Sequence, residues 1–255
     1  MKISGSGKIC SNICNEEIHI SGSAVIEGDV RCTGMHISGS VKAKGKVEST
    51  GEIRVSGSGK IEGNAVCTEL DVSGSVSAAE ISAEKIMISG SCRSEKDINA
   101  NEIKISGGIN AQDSVKCISA EISGNICCSS LDAEIFKCSG SVEIKGLLNA
   151  DKALIKLQRR SGKCAVGSIG GSEIRVERYD AGCISLLSAF RSGNYGKLYA
   201  AEYIEGDDIY LENTECPVVT GKNVVIGSGC RIGKVMYYDS CSIDEGSDVG
   251  EYRKI

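Results

Sequence analysis

Short bursts of alternating apolar and polar residues recur along this chain at a nearly fixed interval. The clearest marker is Ser-Gly, with Ser at positions 4, 21, 38, 56, 73, 89, 106, 123 and 139. The successive gaps are 17, 17, 18, 17, 16, 17, 17 and 16 residues. Just before each marker, two apolar residues flank an exposed one: Ile18-His19-Ile20, Met35-His36-Ile37, Ile53-Arg54-Val55, Leu70-Asp71-Val72, Ile103-Lys104-Ile105. That is the period of two expected of a strand. A second apolar pair lies two and four residues after the glycine, as Ala24/Ile26, Val41/Ala43, Val76/Ala78 and Val142/Ile144. A third lies about eight and ten after it, as Val30/Cys32, Val47/Ser49, Ala65/Cys67, Ile98/Ala100 and Val115/Cys117.

Each repeat therefore predicts three short strands, each aiming two side chains inward, and three corners. A fixed short period of this kind marks a solenoid. The expected fold is all-β: a single-stranded parallel β-helix with triangular rungs of about seventeen residues. Glycine is expected at the corners for its tolerance of positive φ. The 16-residue rungs lack the second-corner glycine, which places the missing residue near Ala79-Glu80 and near Ser129-Ser130. A helical reading fails, because the i, i+3, i+4, i+7 stripe is absent and glycine is too frequent for helix interiors.

A tenth rung begins at Ala153-Leu154-Ile155, and Ile174-Arg175-Val176 reads as a strand. Residues 177–197 then break the rhythm. Pairs resume at Leu198/Ala200, Ile209/Leu211, Val224/Ile226, Cys230/Ile232, Val235/Tyr237 and Cys241/Ile243. The expectation is one β-solenoid domain over 1–255, with regular repeats in 1–157, an irregular rung and insertion in 158–197, and C-terminal rungs in 198–255.

Composition refines this reading. The 255 residues include two Phe, eight Tyr and no Trp, so the core must be thin layers of Ile, Val, Ala and Cys. The formal net charge is −5, against nucleic acid as a partner. The Met1-Lys2-Ile3 start has no signal-peptide pattern, and no apolar run reaches the ~18 residues of a membrane span, so a cytoplasmic location is expected. Fourteen cysteines without an export signal read as reduced thiols.

Candidate chemistry is sparse. Cys32, Cys67 and Cys117 fall in one inward column, Cys92 and Cys128 in a second and Cys138 in a third, where thiols pack as compact hydrophobes. Cys10-x₃-Cys14 has metal-ligand spacing but no second pair beside it in sequence. His19 and His36 occupy one exposed column a rung apart, open to metal binding or a pH response, although Arg54 follows them. Glu205-Gly-Asp207-Asp208 reads as a polar corner, without the G-G-x-G-x-D array of calcium-binding β-rolls. No catalytic residue, cofactor or metal is expected, and the chain does not read as an enzyme. The apolar stretch Cys183–Phe190 reads as a flap over the solenoid flank, with a membrane-touching amphipathic helix as the alternative.

The phrase I-x-I-S-G-S-x-x-I-x-G in Ile18–Gly28, with a close copy in Ile53–Gly63, resembles the bactofilins. The stretch Ile204–Thr214 is similar to a longer bactofilin-related group of Gram-positive bacteria. The resemblance implies a right-handed β-helix and a bacterial cytoskeletal protein that polymerises without a nucleotide. It also implies related paralogues, membrane proteins or envelope proteins as partners, with membrane association through them. The physical route to assembly is the open edge of each end rung, which recruits further strands. Ile3 and Ile9 at one end, and Val249, Tyr252 and Ile255 at the other, are the candidate self-assembly residues, with the chain itself as partner. A non-polymerising β-helix binding module is the alternative. A hexapeptide-type transferase, suggested by Ile226-Gly-Ser-Gly-Cys-Arg-Ile232, is a distant third, since such enzymes use a histidine in the coil and none follows His36.

Overall fold

A computed structural model describes residues 1–159, 163–179 and 195–255. They form two compact units, Met1–Ser119 with Asn125–Cys128, and Ala120–Gly124 with Ser129–Ile255. Each unit is all-β, and the ladders between its strands are parallel. Each is a β-solenoid in which a strand pairs with its counterpart one rung away.

In the first unit the register confirms the three inward faces. Ile20 pairs with Ile37, then come Val55, Val72, Ile88 and Ile105, none more than 2% exposed. A second column runs Ala24–Val41–Gly59–Val76–Cys92–Ile109–Ile126. A third runs Val30–Val47–Ala65–Ile81–Ile98–Val115. Stacking like on like lets small branched side chains fill the core without aromatics.

Two changes of rung length in this unit fall at corners. Lys60 pairs with Ser77, a spacing of 17, but Ala65 pairs with Ile81, a spacing of 16. The residue is lost between them, at the expected Ala79-Glu80 corner. The 18-residue rung gains its residue at Thr50-Gly51, between the pairs Cys32–Ser49 and Met35–Ile53.

The reason for corner glycine differs from the expected one. Among the described residues only Gly229 (φ 78°) and the non-glycine Asn213 (φ 45°) have positive φ. At Gly39, Gly57, Gly74, Gly90 and Gly107 the carbonyl oxygen of the glycine one rung earlier fills the place of a Cβ. Close approach of stacked turns, not left-handed backbone, demands glycine there. Polar corners add hydrogen bonds between rungs: Asn12 Oδ1 accepts from the Asp29 amide at 2.9 Å, and Asp29 Oδ1 from the Lys46 amide at 3.0 Å.

In the second unit the inward pattern persists through Cys138–Ile155–Val176–Leu211–Ile226–Ile243. Phe136, fully buried, stacks on Ala153, so a large residue meets a small one. The spacing widens to 21 at Ile155–Val176 and to 35 at Val176–Leu211, then contracts to 15 at Leu211–Ile226. Both additions fall at the corner that holds Ser139-Gly140 one rung earlier, between Gln158 and Cys164 and between Tyr179 and Leu198. Their stems meet: Arg159 bridges Tyr195, and the Gly196 amide donates to the Gln158 carbonyl at 2.9 Å. The segment Cys183–Phe190, with its flap and membrane readings, lies outside the described residues.

Candidate assembly edges and surface chemistry

Of the five residues expected to mediate assembly, Ile3, Ile9, Val249 and Tyr252 continue core columns to strands with little cover, and Ile255 follows the last strand. Ile3 pairs with Ile20 and Ile9 with Ile26, and both are half-buried. In the second unit, strand Asp248–Lys254 pairs with Arg231–Ile243, placing Val249 on Ile232 and Tyr252 on Val235. Val235 is fully buried, as are Val219 and Ile204 in the same column. Tyr252 holds the next inward position and is 63% exposed. Ile255, 46% exposed, donates its amide to the Tyr237 carbonyl at 2.9 Å. Arg253 and Lys254 stand on Met236 and Tyr237 on the same strand.

None of the thirteen described cysteines is joined in a disulfide. Cys32 stacks on Ser49 and Cys67 on Ala83, as the spacing indicates. Cys92 and Cys128 do not share a column, contrary to expectation. Cys92 pairs with Ile109, which pairs with Ile126, whereas Cys127 pairs with Asn110. Cys128 is thus at the second inward position of its strand and Cys92 at the first. Burial pushes the thiols of Cys67, Cys92, Cys128 and Cys138 up to about 12, and that of Cys216 to about 11. Such thiols are inert at neutral pH. Cys10 and Cys14 are exposed.

His19 and His36 stack with ring centroids 5.0 Å apart and planes 7° from parallel. One carboxylate oxygen of Glu17 lies 3.4 Å from His19 Nε2 and 3.7 Å from His36 Nε2. Arg54, next in the column, pairs with Glu52 at 2.7 Å and Asp71 at 3.5 Å. Among the described residues no group of three or more His, Cys, Asp or Glu side chains is arranged to hold a metal ion. The acidic run Glu205–Asp208 lies within strand Tyr203–Leu211, where the alternation breaks between buried Ile204 and Ile209, with Asp207 paired to Lys222 at 3.0 Å and Asp208 accepting from Asn223 at 2.9 Å. Ile226 and Ile232 are buried on either side of a turn, in the inward columns that the other rungs use.

Sequence reasoning passed over the tyrosines. All eight lie between positions 179 and 252, and Tyr179, Tyr199, Tyr203, Tyr238 and Tyr252 are exposed. Their uneven distribution along the chain is the signal that marks the surface of the later rungs as different.

The strict rungs are also where the chain is similar to a known family. A family model described as bactofilin, polymer-forming cytoskeletal, matches residues 1–73 and again residues 34–116. Over residues 1–116 the chain is thus similar to the bactofilins. The two matches overlap because the repeat, moved along by about two rungs, fits the bactofilin pattern again. The uncharacterized protein YhbF of Bacillus subtilis (strain 168) is 43% identical over 110 residues, which cover 43% of this chain and 42% of YhbF. The uncharacterized protein YhbE of the same strain is 35% identical over 112 residues, 44% of each chain. The aligned part is thus less than half the length of these relatives. No solved structure matches the chain. Among the described residues no helix is long and apolar enough to cross a membrane.

Proposed function

We propose that the chain is a structural scaffold that assembles with copies of itself, rung edge against rung edge and without a nucleotide. The observation that carries this reading is Tyr252: it extends the buried column Ile204–Val219–Val235 and is left largely in solvent. A strand edge with free amides and carbonyls recruits a further strand, and an uncovered solenoid end needs a cap or a neighbour. Stacking a second copy on Asp248–Lys254 covers Val249, Tyr252 and Ile255. Ile3 and Ile9 offer the matching positions in the first unit. Contacts between like ends make a filament only in alternating pairs, whereas contacts between unlike ends make one by repetition. The polymer-forming description of the matched family supports the same reading.

The test is negative-stain electron microscopy with sedimentation of the purified chain, with and without nucleotide. Filaments are expected in both conditions. Ile3→Lys and Ile255→Asp, each placing a charge on one edge, are expected to shorten them. Filaments of unchanged length in both variants rule out assembly through these edges. A monodisperse monomer or dimer under all conditions makes the chain a binding module instead.

A further inference from the structure

Tyr203 and Tyr238 line one recess on the second unit, together with Leu147, and all three side chains are exposed. Glycines form much of the rest. Gly206 pairs with Gly221, and a Cβ at Gly206 would stand 2.6 Å from the Gly171 carbonyl oxygen. The glycines are thus required by packing between rungs, and the recess is a by-product of that packing. The tyrosines are not so explained. Tyr203 pairs through its backbone with Val218 and leaves 38% of its surface in solvent, and Tyr238 leaves 51%.

Charge selects what fits against these rings. Glu205 and Asp207 line the recess. Asp208 and Asp239 act on the same ammonium of Lys222 that Asp207 holds at 3.0 Å. A further cation is Lys254, whose ammonium donates to the Asp239 carbonyl at 3.4 Å. The recess thus has Glu205 and Asp207 in its lining, with Asp208 and Asp239 beside Lys222. An anionic polymer is disfavoured there, and a cation is attracted both by the carboxylates and by the electron-rich ring faces. The second unit already uses this chemistry internally: the Arg175 guanidinium lies 4.5 Å from the centre of the Tyr210 ring, and the Lys156 ammonium 4.7 Å from that of Tyr179.

We propose that this recess docks a basic, arginine-bearing segment of a partner protein, its guanidinium against Tyr203 or Tyr238 and facing Glu205 and Asp207. Arginine is favoured over lysine because its planar, weakly hydrated cation stacks on aromatic faces as well as pairing with carboxylates. Tyrosine at an interface supplies a large contact area at low entropic cost, with a hydroxyl for the rim. The inference does not depend on polymerisation, since the recess is on the rung flank.

The experiment is fluorescence anisotropy on the full chain with three labelled peptides of equal length: an Arg-Gly repeat, a Lys-Gly repeat and a neutral Ser-Gly repeat. The Arg-Gly peptide is expected to bind most tightly, and its affinity to fall with added salt. Tyr203→Ala with Tyr238→Ala is expected to weaken it by about tenfold without changing net charge. Lys222→Ala, which removes a competing cation, is expected to strengthen it. Thermal midpoints of both variants within a few degrees of the parent show that the fold is retained. Equal binding by the tyrosine variant means bulk attraction to an acidic protein and overturns the proposal. Equal binding of the Arg-Gly and Lys-Gly peptides overturns it too. So does binding of a soluble neutral glucan in place of the peptides, or tyrosine-dependent self-association without peptide binding.

Discussion

The carbonyl oxygen of Gly22 occupies the place where a Cβ on Gly39 would stand. The same relation links Gly39 to Gly57, Gly57 to Gly74, and Gly74 to Gly90. Gly57→Ala is therefore expected to push two rungs apart and to cost about 1–3 kcal/mol, the range for forced overpacking. Gly108 is the control. It lies in a strand with nothing within 4 Å of its Cβ position, and alanine there is expected to be neutral or mildly stabilising. Chemical denaturation of the two variants checks the contrast. Equal losses would mean that corner crowding is not what requires glycine.

Val72 is fully buried between Val55 and Ile88. Val72→Asp places an unpaired carboxylate in that column and is expected to cost about 3 kcal/mol or more. Asp71→Val, on the outward side of the same strand, is expected to cost far less. Its loss is limited to the ion pair with Arg54, whose side chain is half exposed.

Thiol chemistry separates outer from inner cysteines. Cys10 and Cys14 are expected to react with a maleimide at pH 7.5 in the native state. Cys67, Cys92 and Cys128, whose thiols titrate near 12, are expected to react only on unfolding. Reductant is expected to leave the melting temperature unchanged, because no disulfide joins the described cysteines. Mass spectrometry of the labelled sites decides the first point and calorimetry the second.

Acid is expected to loosen the rungs. Lys44 and Lys8 hold Glu27 below the usual carboxylate range, Lys46 and Arg31 do so for Glu48, and hydrogen bonds from Ser114 do so for Asp97. A depressed folded-state value contributes stability that is present above the unfolded value and lost as pH falls through the folded one. The urea midpoint should hold steady from neutral pH down to about 5 and drop below about 4. Lys44, raised by Glu27, has the opposite sign: its contribution is present below its unfolded value and lost as pH rises through the folded one. Glu27→Gln should flatten part of both limbs, and an unchanged profile would remove Glu27 from the account.

The rung was legible because each inward position repeats in sequence what it stacks on in space. Ile20, Ile37 and Val55 announce one another, and the short rung betrays its missing residue at Ala79-Glu80. The reason for glycine was not legible, because the Gly22 carbonyl that excludes a side chain at Gly39 belongs to another turn. Cys92 and Cys128 were misplaced together because the two inward positions of a strand are chemically alike. The recess was hidden for a related cause: Leu147, Tyr203 and Tyr238 are far apart in sequence, and strand register shifts lie beside two of them, at Ile144/Leu147 and Gly221/Asn223. The run Glu205–Asp208 reads as a polar corner because acidic residues favour turns. Nothing in it showed that Ile204 and Ile209 anchor it on both sides within one strand.

Length changes fall at corners at Thr50-Gly51, at Ala79-Glu80, and at the one corner with both large additions. The inward columns pass through each of these without a shift. Coding sequence for such a coil can therefore be copied or lost one turn at a time, because the residues that meet across a new junction are of the same kind as those that met across the old one. Unequal recombination between neighbouring repeats then yields a longer or shorter coil that is ready to fold, and surface novelty such as the tyrosines can arise in one turn while its neighbours keep the original pattern.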